Sequence, residues 1–234
     1  PRNQVAQIVS NAFKYGTAVL GFDIIFSEPD RMNGDNVVKS LVGLDRETIA
    51  KLKTIPKNDA IFGKTIKTAK RIVVGQTVLP IERIYEGRKP LKNRVFERQD
   101  KGAPRPQKWV TKVGGILRNV PEIESMAAGH GLLALEPELD GIVRRVPAFF
   151  RHSDRLYPAL GIEVMRIATG RRGVVAFGGV AGIEDVKIGP KRRFTIPREI
   201  LDDVNVPKLP YDPAYNRLLF LEIDAGQGQK KLIH

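Results

Sequence analysis

The chain contains no cysteine, only three histidines, and aromatic residues make up just 7% of its 234 positions. Lacking thiols, it cannot build disulfides, thiolate metal sites or cysteine nucleophiles, and the redox compartment stays open. His130, His152 and His234 are too far apart for a helical metal pair, and the sequence shows no triad partner for any of them. Each is read as structural. The low aromatic content, with no recognisable nucleic-acid module, argues against nucleic acid as a partner. No apolar run approaches the roughly 20 residues that a membrane-spanning helix needs. Two phosphate-like motifs are incomplete. Gly63-Lys64-Thr65 has Asn58 where a phosphate loop needs glycine, and Gly226-Gln227-Gly228 lacks its third glycine and reads as a hairpin turn.

What is present is a basic globule. Lys and Arg number 39 against 26 Asp and Glu, a formal charge of +13, and 42% of residues are apolar. That charge suits phosphate, anionic lipid or acidic partners, and equally a solvated surface. One domain with a sizeable core is expected.

Val5, Ile8, Val9, Ala12 and Phe13 form one helical stripe that Gly16 can close. The apolar run from Ala18 to Phe26 reads as a strand buried on both faces. Helices are expected from Asp45 and from Asp59, each aspartate serving as N-cap, followed by a strand over Ile72–Leu79. Between Pro80 and Lys108 the periodicity fades into a basic, irregular insertion with nine Lys or Arg, four acids and four prolines. Asn119-Val120-Pro121 starts a short helix. Strands over Gly131–Leu135 and Gly141–Phe150 are expected to pair as an antiparallel hairpin, and Pro158 to open a further helix closed by Gly170. Short strands are expected over Val174–Phe177, Val186–Ile188, Phe194–Ile196 and Leu218–Ile223. The fold class is α/β: a mixed, partly parallel sheet with helices on its faces.

Asp23, Glu28, Asp30 and Asp35 gather where the first strand ends, the edge at which open α/β folds bind ligands. They suit a cation or a polar ligand; Asp23 can equally cap the strand end. The metal, if any, stays undefined. In Asp140-Gly141-Ile142-Val143-Arg144-Arg145 the two arginines leave opposite faces of a strand, so one of them can reach that edge and recognise an anion or a carboxylate.

Four segments in this order resemble the type-two CHASE domain, an extracellular sensory module found with cyclases and histidine kinases. They are Pro1-Arg2 at the first helix, Gly21 to Arg31, Asn58-Asp59-Ala60-Ile61-Phe62, and Asp140 to Pro147; Leu156-Tyr157-Pro158-Ala159-Leu160 continues the match. Gly115 to Glu122 is similar to the variety attached to class III adenylate or guanylate cyclases. The resemblance implies a non-catalytic sensor outside the cytoplasmic membrane, without a cofactor, with spanning helices before and after it, a cytoplasmic output domain and a homodimeric assembly. It places an unidentified signal near Asp23, Glu28, Asp30 and Arg31, with Arg144 or Arg145 nearby. The family's acidic first strand and its tryptophan-proline segment are missing, and the basic insertion is longer than the family's connection. The chain's start within a helical pattern and its end within a strand-like one suit a piece of a longer protein. A cytosolic α/β enzyme binding a nucleotide or metabolite is the competing reading.

Overall fold

The computed structural model describes residues 1–92, 94–134, 146–180, 182–188, 193–195, 221–224 and 230–233. The first helix, α1 (Arg2–Lys14), buries Ala6 and Val9, and Gly16 leaves it at φ 91°, as the stripe requires. β1 is shorter than its apolar run. It spans Leu20–Phe22, and Ile24 is 53% exposed. The reason lies in competing partners: the Phe26 amide donates to the Asn119 side chain at 2.6 Å and its carbonyl accepts from the Val120 amide at 2.7 Å, so the backbone of Phe26 is satisfied without a strand ladder.

α2 (Gly34–Ser40) and α3 (Arg46–Thr54) pack together, and Gly34 allows the contact because a Cβ there would lie 1.9 Å from the Leu52 carbonyl oxygen. Asp45 caps α3 as expected, accepting from the Thr48 amide at 2.9 Å. Asp59 does not cap α4 (Asn58–Ala69). Lys57 holds the cap position, and Asp59 lies buried in the first turn, where long-range donors occupy it. α1 and α4 enclose the first core with Phe22, Phe26 and Phe62, whose rings meet edge to face at 5.3–5.6 Å.

β2 (Ile72–Leu79) matches its predicted span and is buried from Ile72 to Gln76. It pairs in parallel with β1 and with β5 (Gly129–Leu133), and antiparallel with β4 (Gly115–Leu117). The irregular insertion is partly regular. It contains β3 (Val95–Gln99) and a 3-10 turn over Pro106–Trp109, because β3 finds a parallel partner in β8 (Val174–Gly178). β8 continues antiparallel to β9 (Ile183–Lys187) and then β10 (Arg193–Thr195), a second sheet.

α5 (Pro121–Glu124) starts on its proline as expected. β5 pairs with β2, while the hairpin that forms joins β6 (Phe149–His152) to β7 (Arg155–Pro158); of the predicted partner strand over Gly141–Phe150, residues 141–145 lie outside the described residues and Phe149 and Phe150 belong to β6. Pro158 ends β7, so α6 (Leu160–Ala168) opens after Ala159 and covers β5 and β2. β11 (Leu221–Asp224) and β12 (Lys230–Ile233) pair antiparallel, and the Gly226-Gln227-Gly228 segment read as a turn lies outside the described residues. Helices with mixed parallel and antiparallel strands make this an α/β fold. Among the described residues no helix is long and apolar enough to cross a membrane.

Candidate functional site

Past β1 the chain turns at Ser27-Glu28-Pro29-Asp30 and is held there by Arg2, on the first turn of α1. The Arg2 guanidinium is ion-paired with Asp59, donates to the Glu28 carbonyl at 2.6 Å and stacks over the Phe26 ring at 5.1 Å. Its amide donates to Asp30. The Asp30 amide in turn donates to Asp59 at 3.0 Å, and Asn33 donates to the same carboxylate at 2.6 Å while accepting from the Asn58 amide at 2.7 Å. Burial alone would raise the Asp30 pKa, but the amides of Arg2 and Met32 together with nearby positive charge outweigh it and hold the carboxyl below its ordinary value. Asp30 is therefore an ionised, buried anchor of the turn.

The turn and α1 enclose an open depression of about 570 Å³. Val5, Ile25, Pro29 and Met32 give it apolar walls, and Arg2, Glu28, Asp30 and Arg31 supply charge. Of the residues singled out in the sequence, Glu28, Asp30 and Arg31 thus come together. Asp23 is exposed at the end of β1 and does not line the depression, and Asp35 faces Lys57 at 3.2 Å. Arg144 and Arg145 lie outside the described residues. Glu28 and Arg31 are exposed and have no side-chain partner among the described residues, which leaves two opposite charges available at the rim. Among the described residues no group of three acidic or imidazole side chains is gathered for a metal ion.

A second polar cluster lies inside the fold. Glu124, 5% exposed, accepts from Arg88 at 2.8 Å, from Gln76 at 2.9 Å and from Arg118 through two nitrogens. The guanidiniums of Arg83, Arg88 and Arg118 sit 5.3–5.5 Å from the Tyr85 ring centre. Buried His130 meets the Glu124 carbonyl at 3.0 Å, a bond that needs the proton on Nε2. Burial first, and then the charge of Lys92, hold this imidazole below its ordinary pKa against the raising effect of Glu124 and Glu163. His152 lies 3.4 Å from Glu82. The Nδ1 atoms of His130 and His152 and the Gln76 side-chain carbonyl oxygen are buried without a hydrogen-bond partner among the described residues, so each histidine is tied through Nε2 alone; His234 is outside the described residues.

Sequence reasoning missed Arg2, Asn33 and Asp59 as the supports of the turn. The only local hint was a basic residue at a helix start, since the partners arrive from distant segments.

Residues 1–220 match the CHASE2 domain family. No curated protein and no solved structure matches the chain.

Proposed function

The chain belongs to the CHASE2 domain family, whose members are extracellular, non-catalytic sensory domains of receptors, and from that premise we propose that it senses a small ligand for a membrane-bound bacterial receptor. In this reading transmembrane helices flank the domain and carry occupancy to a cytoplasmic output domain, an adenylate or guanylate cyclase, within a homodimer. The cyclase assignment rests on the similarity of Gly115 to Glu122. One observation supports the ligand site: Arg2 joins the first turn of α1 to the turn that forms the depression, so a ligand there touches the helix nearest the proposed upstream anchor. A ligand that prefers one setting of α1 over another shifts the equilibrium by its differential affinity, which is what sensing requires.

The unpartnered Glu28 and Arg31, which line one depression with apolar residues, suit a small zwitterion such as a free amino acid. Arg144 or Arg145 adds a further guanidinium in this proposal. The test is thermal unfolding of the domain against a panel of free amino acids at millimolar concentration. At about 100 times its dissociation constant a ligand adds roughly 2.7 kcal/mol to folding stability. At least one amino acid should raise Tm, and Glu28→Ala and Arg31→Ala, both surface changes, should each abolish that rise. No stabilisation by any of them, or stabilisation unchanged in both variants, rejects the site.

A further inference from the structure

We propose that Arg94 and Arg172 form a second, separate binding site, one for a phosphate group, at the seam between the two sheets. Both line a depression of about 370 Å³ together with Ala128 and Arg166. Arg94 immediately precedes β3 and Arg172 stands two residues before β8, so the parallel pairing of those strands brings the two side chains to one end of the second sheet. Ala128 immediately precedes β5 of the first sheet.

The backbone is fixed at Arg94 and at Arg171, the residue before Arg172. The Val174 amide donates to the Arg94 carbonyl at 2.8 Å. On the other side Arg166, 5% exposed, donates to the Arg171 carbonyl at 2.8 Å while the Arg171 amide donates back to the Arg166 carbonyl at 3.0 Å. Arg166 itself is neutralised by a two-point contact with buried Glu163, at 2.5 and 2.7 Å. It therefore serves as a rigid wall.

Arg94 and Arg172 differ from it. Both are exposed, and neither has an acidic partner among the described residues. Two permanently charged forks directed at one small depression repel each other unless an anion lies between them, and guanidinium matches the oxygens of phosphate two at a time. Lys92, whose ammonium is 3.5 Å from the Ala127 carbonyl, adds positive charge beside the floor. With Ala128 at the start of a strand of one sheet and Arg94 and Arg172 before strands of the other, a bound phosphate bridges the two sheets.

The phosphate can belong to a free anion or to a lipid headgroup, and two probes separate these sources. Inorganic phosphate is titrated calorimetrically at constant ionic strength, and vesicles of phosphatidylglycerol in phosphatidylcholine are tested by co-sedimentation. Saturable binding of either probe is expected, weakened roughly tenfold by Arg94→Ala and again by Arg172→Ala. Lys64→Ala, an exposed cation on α4, should leave it unchanged. Binding of free phosphate identifies a soluble anion, and binding of vesicles alone identifies the headgroup. Binding of neither probe, or equal losses in all three variants, overturns the site, the latter because it marks diffuse attraction to a basic surface.

Discussion

Arg2 and Asp59 form an ion pair that closes the first layer of the fold, with side chains only 15% and 3% exposed. It joins the start of α1 to the start of α4, and the same carboxylate accepts from the Asp30 amide and from Asn33. The turn carrying Glu28 and Arg31 thus rests on a buried, fully occupied carboxylate.

Replacing Asp59 leaves a mostly buried guanidinium and two further donors without their acceptor. Asp59→Ala should lower folding stability by about 3 kcal/mol, the scale for breaking one side of a buried pair. Denaturant unfolding reads this directly. A loss under about 1 kcal/mol would mean that water replaces the carboxylate and that the turn is not anchored as described.

Gly63 sets two effects of opposite sign against each other. Alanine is favoured over glycine in a helix interior by roughly 1 kcal/mol. A Cβ at this position, however, would lie 2.3 Å from the Glu122 carbonyl oxygen and 3.1 Å from its carbon, both backbone atoms that cannot turn aside. Overpacking of this kind costs about 1–3 kcal/mol, so Gly63→Ala should be net destabilising, with a lowered Tm. An unchanged or raised Tm would show that α4 and α5 are not in such close contact.

The state of His130 gives a pH dependence with a defined sign. Its folded-state pKa lies below the ordinary 6.5, so in mildly acidic solution the unfolded chain binds a proton that the folded one refuses. The stability from the neutral imidazole is fully present above pH 6.5 and declines as pH falls from there towards the lowered folded value. Tm measured from pH 7.5 down to 5 should fall more steeply in the native protein than in His130→Gln. Parallel profiles would mean that His130 is not the group responsible.

Much of this architecture could be read from the sequence because its signals are local. The stripe of α1, the cap of α3 and the valine-rich β2 depend on residues within one element. The misreadings share a cause: a distant partner. β1 stops at Phe22 because Asn119 and Val120 take over the backbone of Phe26. β3 is a strand because β8 lies beside it, although its own sequence sits in a charged, proline-punctuated stretch. Asp59 carries the same local pattern whether it caps a helix or binds Arg2. The site was legible as a cluster of charge after β1, and Glu28, Asp30 and Arg31 do share a depression, but which of them is an anchor and which is available depends on burial. Arg94 and Arg172 carried no sequence signal at all, since only the pairing of β3 with β8 brings them together.

The proposed receptor role depends on which side of the membrane this domain occupies, and the chain's lack of cysteine provides a clean probe. Val42 is fully exposed in the loop after α2, so Val42→Cys introduces a single accessible thiol without disturbing the core. In spheroplasts expressing the full-length protein with any cysteines elsewhere removed, a membrane-impermeant maleimide should label this residue before lysis. Labelling that appears only after the cells are broken open would place the domain in the cytoplasm and contradict the account.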